Sequence, residues 1–244
     1  MIKNIFLTLA SISFLIADAD HIIFSRITTT PNEAEMVSIT NPTSSAIDLS
    51  NYYLSDEGSS YFNLPSNEGY WSGSNSKFVA KFPDIDIAPN QTLTIGLHDI
   101  VSFNSYYSIN PDLTLKEDML SVSDESNTIG SSDNILNDNF DCLILFYWDG
   151  SEPIIQDVDY FVWGFAQVGI DKTGVDGYYD DTSAIIQNQS ILDYHTEGES
   201  YTRISNVEYG ECNGTWPDDC PNTPQGNGIT GHDETSESFS ESWE

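Results

Sequence analysis

The stretch MVSITNPTSSAIDLSNYYLSD, residues 36–56, carries two alternating patterns separated by a turn signal. Its first half alternates apolar and polar residues up to Asn41 and Pro42. A strand ends there because proline offers no N–H to a sheet ladder. Its second half alternates again through Ile47 and Leu49, whose polar neighbours point to the opposite face. The stretch therefore predicts two half-buried strands, which we expect to form a hairpin.

Similar short segments recur along the chain, bounded by Gly, Pro, Asn and Asp. Such segments are typical of strands. They are HIIFSRITT (21–29), DIDIAPNQTLTIGL (84–97), FDCLILFYWDG (140–150) and PIIQDVDYFVWG (153–164). The turn dipeptide Asp149-Gly150 predicts that the last two form a hairpin. Residues 113–122 are the best candidate for a short helix. The overall prediction is an all-β, antiparallel sandwich with long loop insertions.

Four regions are predicted from these patterns and from composition. Residues 1–19 resemble a signal peptide, and residues 20–165 form the sandwich, with polar insertions at 57–82 and 101–140 expected to be surface loops. Residues 166–205 extend the domain by a short helix or an edge strand. Residues 206–244 form a polar, acidic tail, which we expect to be a solvated, disordered end.

The charge of the chain is extreme. Its 244 residues include 39 acids and 7 bases, for a formal net charge of -32, while 39% hydrophobic residues supply a sizeable core. Such a surface repels phosphate-rich polymers, which excludes nucleic acid and anionic lipid as preferred partners. The acidity indicates solubility or adaptation to salt, and the alternative is the binding of divalent cations.

The first residues have the organisation of a secretory leader. Lys3 supplies the positive start, residues 5–16 are mostly apolar, and Ala17-Asp18-Ala19 is a small-x-small cleavage site. We therefore predict a mature chain from Asp20 that is secreted, periplasmic or at the cell surface. No other run is long enough to span a membrane, so we expect no membrane insertion after signal cleavage.

Three cysteines are present. Cys212 and Cys220 flank a polar loop with Gly and Pro, and in an oxidising compartment we expect them to form a disulfide. Cys142 lies in an apolar run and is predicted to be a buried free thiol.

The order of these strands resembles the lamin tail domain, an immunoglobulin-like module of nuclear lamins and of many exported bacterial proteins. The matching pieces are Ile22–Ile27, Met36–Pro42, Ile47–Ser50 with Leu54–Asp56, Ile87–Leu93, and the pair Leu145–Gly150 and Val158–Gly164. The chain departs from the family pattern at Ser38, where an acid is usual, and at Asn90, where glycine is usual. The resemblance implies an immunoglobulin-like fold and a non-catalytic interaction, adhesion or anchoring role, with a protein or a surface glycan as the unknown partner.

No catalytic set can be assembled from the sequence, so we predict that the chain is not an enzyme and has no cofactor. No Gly-x-Ser-x-Gly elbow and no complete phosphate loop is present. The four histidines do not form a metal-binding pair and are predicted to lie at the surface or at strand ends. They are His21, His98, His195 and His232.

Calcium is the remaining ligand candidate, because hard cations prefer several oxygen ligands. Two short stretches, NDNFD and DGYYDD, are rich in such oxygens, although neither completes an EF-hand loop. The candidate ligands are Asn137, Asn139, Asp141, Asp176, Asp180 and Asp181.

The first insertion is dense in aromatic residues, namely Tyr61, Phe62, Tyr70, Trp71 and Phe78. Exposed aromatics on loops can form a recognition surface for sugar or protein. The alternative is that they fold back as a lid over one edge of the sandwich. The second hypothesis for function is therefore a secreted calcium- or carbohydrate-binding protein that uses the insertions.

Overall fold

The computed structural model describes residues 18–121, 135–165, 168–178, 198–209 and 238–244. Over these residues the chain is an all-β sandwich of two five-stranded sheets, as predicted. The strands are β1 (Ile23–Thr28), β2 (Met36–Thr40), β3 (Ile47–Asp48), β4 (Tyr52–Ser55), β5 (Val79–Lys81), β6 (Asp86–Ile87), β7 (Thr92–Gly96), β8 (Leu113–Thr114), β9 (Leu120–Ser121), β10 (Asp141–Tyr147), β11 (Gln156–Trp163) and β12 (Tyr201–Thr202).

The first sheet has the order β12-β1-β2-β7-β8, and the second has the order β11-β10-β4-β5-β9. A small third sheet pairs β3 with β6. Strand pairs are antiparallel except β7 and β8, which run parallel. The helices are α1 (Ile100–Tyr107), α2 (Phe239–Ser242) and two 3-10 helices, Asn32–Ala34 and Tyr61–Ser66. Within the described residues, no helix is both long enough and apolar enough to cross a bilayer.

Residues 36–56 form strands as predicted, but the predicted hairpin is wrong. β2 pairs with β1 and β7 in the first sheet, whereas β4 pairs with β10 and β5 in the second. The buried side chain of Asn41 organises the crossing. Its Nδ2 donates to the carbonyl oxygens of Ser45 (2.8 Å) and Ile87 (3.0 Å), and its Oδ1 accepts from the Thr43 N–H (3.0 Å). The alternation of apolar and polar residues in the sequence indicated which side chains are buried. It did not indicate with which strands β2 and β4 pair.

The predicted hairpin of β10 and β11 is confirmed, with Asp141 opposite Trp163 and Tyr147 opposite Gln156. The predicted helix over 113–122 is wrong, because β8 and β9 form there instead. The carboxylate of Asp118 accepts from both the N–H (2.7 Å) and the hydroxyl (2.9 Å) of Thr114, which closes a turn between the two strands. This turn competes with the helix that the sequence pattern favoured.

The second sheet is buried on both faces. One face packs against the first sheet through residues such as Leu54 and Leu145. The other face forms a second apolar cluster that includes Ile144 and Phe146. Burial on both sides explains why β10 is a nearly continuous apolar run rather than an alternating one.

Both chain ends contribute to the sandwich. β12 pairs with β1, so an edge strand extends the domain beyond residue 165. Trp243 is buried, which contradicts a solvated end over residues 238–244. Ala19, the last residue of the predicted leader, is also buried, and its N–H donates to the Asn206 carbonyl oxygen (2.8 Å). Residues 1–17 and 210–237 lie outside the described residues.

Candidate functional site

The candidate calcium ligands that the structure describes are not assembled into a cation site. Asp141 Oδ1 accepts from Lys77 Nζ at 2.5 Å, and Asp141 Oδ2 accepts from the Asn137 N–H at 3.1 Å. Asn137 Oδ1 accepts from the N–H groups of Asn139 (2.9 Å) and Phe140 (3.2 Å). These oxygens therefore hold the loop itself.

The other candidate ligands lie elsewhere. Asp176 is exposed, and Asp180 and Asp181 lie outside the described residues. In the part of the chain that the structure describes, no three His, Cys, Asp or Glu side chains are placed to hold a metal ion.

The aromatic residues of the first insertion do not form an exposed stripe. Four are buried and Trp71 is half-buried, the buried ones being Tyr61, Phe62, Tyr70 and Phe78. Most of them cover the outer face of the second sheet, where Tyr61 packs against Phe146 with ring centroids 5.3 Å apart. The aromatics therefore fold back against the domain, as in the lid alternative, but they cover the outer face of the second sheet and not an edge.

Cys142 is a buried free thiol, as predicted. Burial raises the pKa of this thiol, so it stays protonated and is a poor nucleophile. The predicted disulfide partners Cys212 and Cys220 lie outside the described residues.

His21 and His98 lie within two residues of the ends of β1 and β7, in line with the predicted strand-end positions, but both are buried and neither is at the surface. His98 Nε2 lies 2.7 Å from Glu35 Oε2, and His21 Nε2 lies 3.1 Å from Glu208 Oε1. Glu35 also accepts from the N–H groups of Ile135 and Leu136, both at 3.0 Å. His98 and Glu35 thus fix the loop that precedes β10. His195 and His232 lie outside the described residues.

Three neighbouring strands bring a group of charged residues together at one end of the second sheet. Asp56 directly follows β4, Lys77 precedes β5, and Asp141 begins β10. β4 pairs antiparallel with both other strands, so its carboxyl end lies beside their amino ends. The three side chains therefore meet at the same edge, although they are far apart in sequence.

The Asp56–Lys77–Asp141 cluster lines a cavity of about 410 Å³. Its other lining residues are Glu57, Gly58, Ser59, Cys142, Val168, Gly169 and Asp171. A second depression of about 270 Å³ shares Lys77, Asp141 and Val168 with it. The two depressions adjoin at these three shared residues, and Phe140 lines the second one.

Lys77 is the central cation of this cluster. Its Nζ lies 2.5 Å from Asp141 Oδ1, 3.5 Å from Asp56 Oδ2 and 3.0 Å from the Asp56 carbonyl oxygen. Burial alone would lower the pKa of Lys77, but the two carboxylates outweigh it and raise that pKa above its usual value. Lys77 is therefore a fixed positive charge at neutral pH.

Asp56 is the carboxyl group with the most perturbed environment in the cluster. Its side chain is fully buried, and burial raises its pKa well above the usual 3.8, although Lys77 opposes the shift. Burial also raises the pKa of Asp141, again against the effect of Lys77. Asp56 Oδ1 accepts from the Phe78 N–H at 2.6 Å, whereas Oδ2 accepts no hydrogen bond.

The raised pKa of Asp56 predicts how stability depends on pH. The folded chain binds this proton more tightly than the unfolded chain, so unfolding free energy should rise as the pH falls through the raised pKa of the folded state towards that of the unfolded state. An Asp56→Asn variant should show a smaller rise, because it lacks the titrating group. Urea unfolding at about pH 7 and about pH 5 measures the difference.

Asp84→Asn is the matched control, since it removes one exposed carboxylate away from the cluster. It should retain the wild-type pH dependence. An Asp56→Asn variant with the same pH dependence as wild type would show that Asp56 does not hold a proton.

Two exposed aromatic rings pack against each other at this end of the sheet, and Phe140 lines the second depression. Phe140 is 37% exposed and Phe165 is 52% exposed, and their ring centroids are 5.2 Å apart. Gly164, with φ +86°, permits this arrangement, because a Cβ there would collide with Phe140 and with the Asn139 carbonyl oxygen. We call Phe140 and Phe165 the phenylalanine pair.

Comparisons with known proteins add little. No protein-family model matches the chain, and no curated protein matches it. A solved structure of a DUF4876 family protein from Bacteroides thetaiotaomicron aligns at 13% identity with a TM-score of 0.31. The alignment covers 59% of this chain and 54% of that one, and so weak a likeness carries no argument. The resemblance to the lamin tail domain therefore stays a prediction from sequence.

Proposed function

We propose that this chain is a non-catalytic interaction module, of lamin-tail type, that binds a partner at the end of the sandwich where the phenylalanine pair lies beside the acidic cavity. The observation that carries the proposal is the exposure of Phe140, which lines a depression together with Lys77 and Asp141, and of Phe165, which packs against Phe140. Anchor residues of interfaces are commonly aromatic, and they lie beside pockets.

The chemistry of the cavity supports binding rather than catalysis. Lys77 is neutralised by two carboxylates, and Cys142 is buried and protonated. A nucleophilic lysine or cysteine needs the opposite shift, towards a lower pKa. These groups organise the cavity wall and are poorly suited to attack a substrate.

The same geometry weakens the calcium alternative. A calcium ion takes six to eight oxygen ligands. Here the Lys77 ammonium lies between the carboxylates that would supply them, and Asn137 and Asp141 already accept hydrogen bonds. Divalent cation binding would require Lys77 to leave.

We also propose that the module is secreted, periplasmic or exposed at the cell surface. Support comes from the basic start at Lys3, the apolar run over 5–16 and the small residues at 17–19. N-terminal sequencing of the exported chain tests this location. Recovery of the intact leader on a chain inside the cell would contradict it.

The phenylalanine pair gives a direct test of the proposed function. A Phe140→Ser/Phe165→Ser variant, used as bait against a surface-protein extract, should capture at least about tenfold less of the partner than wild type, because aromatic anchors dominate interface energy. Quantitative mass spectrometry of the captured proteins measures the ratio.

The control variant is Val101→Ser/Ile109→Ser, in and just after α1. It removes two comparably exposed apolar side chains (73% and 63% exposed) that do not line the cavity. It should capture the partner as well as wild type does. Equal losses from both variants would mean that the phenylalanine pair is not the binding surface.

Carbohydrate binding is the second candidate function. Sugar rings also stack on aromatic faces, and the phenylalanine pair offers two adjacent rings. An array of neutral glycans separates the two candidates. Glycan binding that is lost in Phe140→Ser/Phe165→Ser, without any captured protein, would favour the carbohydrate function.

A further inference from the structure

We infer that the cavity beside Lys77 receives a cationic side chain, arginine or lysine, from a basic protein partner. The inference rests on the proposed interaction function and specifies its chemistry. It concerns the cavity lined by Glu57 and Asp171, whereas the proposed function depends on the phenylalanine pair.

The balance of charge in the cavity is the first argument. Four carboxyl groups line it, from Asp56, Glu57, Asp141 and Asp171, against the single ammonium of Lys77. Lys77 is within 3.5 Å of both Asp56 and Asp141, and among the ion pairs of the described residues none involves Glu57 or Asp171. These two carboxylates are therefore uncompensated, and one cation from outside would balance them in part.

One buried carboxyl oxygen in the wall of the cavity lacks a hydrogen-bond donor. Asp56 Oδ2 is inaccessible to solvent and accepts no hydrogen bond, and its nearest cation is Lys77 Nζ at 3.5 Å. Buried carboxylate oxygens are normally hydrogen-bonded. A donor group that reaches this oxygen from the cavity would supply the hydrogen bond that it lacks.

The wall of the cavity is held in place before any ligand enters. Glu57 Oε2 accepts from the N–H (3.1 Å) and the hydroxyl (2.6 Å) of Ser72. Asp171 Oδ1 accepts from the Thr173 N–H at 3.0 Å. Fixed carboxylates lower the ordering cost of binding, and they suit a guanidinium or an ammonium that donates several hydrogen bonds.

The surroundings match a basic side chain better than a free metal ion. Phe140, which lines the adjoining depression, offers an aromatic face for the methylene stem of arginine or lysine. A net charge of -32 attracts a basic partner and steers it to the surface. A divalent ion would meet twice the repulsion from Lys77 that a single positive charge meets.

Matched peptides test this inference on the full chain. The probes are a short acetylated peptide that contains leucine and arginine, and the same peptide with citrulline, which keeps the shape but lacks the charge. We expect the arginine peptide to bind at least about fivefold more tightly at physiological salt, where long-range attraction is screened. The corresponding lysine and acetyl-lysine peptides should differ in the same direction.

Two charge variants locate the binding. Asp171→Asn and Glu57→Gln should each weaken the arginine peptide by at least about threefold, because each removes a cavity carboxylate. Asp84→Asn removes one exposed carboxylate away from the cavity and should leave the affinity unchanged. Asp171 is exposed, so its substitution should not disturb folding.

The outcomes separate the two proposals. Equal binding of the arginine and citrulline peptides, no binding of either, or equal weakening by Asp84→Asn and Asp171→Asn would overturn the inference. If Phe140→Ser/Phe165→Ser still abolishes partner capture in that case, the proposed interaction function is retained and only the cation site is rejected. If that variant captures the partner normally while Asp171→Asn removes arginine binding, the cavity is a cation site and the phenylalanine pair is not the interface.

Discussion

A Lys172→Met variant is expected to lose about 3–5 kcal/mol of unfolding free energy, because it leaves a buried carboxylate without its cation. Lys172 is 1% exposed, and its Nζ is ion-paired with Asp157, whose side chain is fully buried. Asp157 Oδ1 also accepts from the Tyr61 hydroxyl at 2.7 Å. Both side chains are buried against the outer face of the second sheet, so the remaining carboxylate would be shielded from solvent.

Urea unfolding of purified protein measures this loss, and two variants calibrate it. Lys81→Met removes a partly exposed lysine that lies 5.6 Å from the centre of the Tyr53 ring, and it should cost less than about 1 kcal/mol. The triple variant Lys172→Met/Asp157→Leu/Tyr61→Phe removes all three polar partners and should recover much of the stability. A loss below about 1 kcal/mol for Lys172→Met alone would show that the pair is not formed in the folded protein.

This pair also explains why the first insertion folds against the sheet. The insertion contributes Tyr61, which reaches Asp157 on β11, while Lys172 reaches the same carboxylate from the segment that follows β11. One buried carboxylate thus ties two connecting segments to the outer face of the sheet. The sequence shows the aromatic density of the insertion, but it does not show that an acid in an alternating strand points inward.

The longer strands, such as β1, β2, β7, β10 and β11, could be predicted from local pattern, because burial on one or both faces leaves a period in the sequence. β10 and β11 are an example, since an apolar run, a turn dipeptide and a second run allow only a hairpin. The short strands β5, β8 and β9 could not be predicted, since they lie where a loop or a helix was predicted. The pairing of β2 and β4 could not be predicted in this way. Alternation says which side chains are buried, but the partner strand is chosen by contacts distant in sequence.

The candidate site was largely hidden for the same reason. Asp56 and Asp141 lie at ends of strands that sequence patterns predicted, whereas Lys77 precedes β5, which lies in the insertion predicted to be a surface loop. Their convergence depends on β4 lying between β5 and β10, which no local pattern encodes. The phenylalanine pair is separated by 24 intervening residues that form one hairpin, so hairpin geometry could have suggested its proximity.

The prediction of a solvated, disordered C-terminal end was wrong for residues 238–244. The last residues are mostly polar and acidic, which usually indicates disorder. A single tryptophan reverses that expectation locally. Trp243 is 2% exposed, its ring centroid is 4.5 Å from that of Phe161, and Arg203 lies over it at 5.6 Å. The backbone of Glu244 also exchanges hydrogen bonds with Thr202 at 2.7 and 2.9 Å, which adds the chain end to the edge of the first sheet.

A Trp243→Ala variant is therefore expected to destabilise the sandwich by about 3–5 kcal/mol, the range for large aromatic side chains removed from a core. Thermal and urea unfolding measure the loss. Glu241→Ala, an exposed change in the same short helix, should cost no more than about 0.5 kcal/mol, and Trp243→Phe should lie between the two. If Trp243→Ala unfolds at the wild-type urea concentration, the terminal segment is not docked, and the first sheet ends at β12. If the large loss is observed, the contacts of Trp243 with Phe161 and Arg203 stabilise the folded chain. The free energy gained by burying this one aromatic residue then exceeds the cost of ordering the acidic segment that carries it.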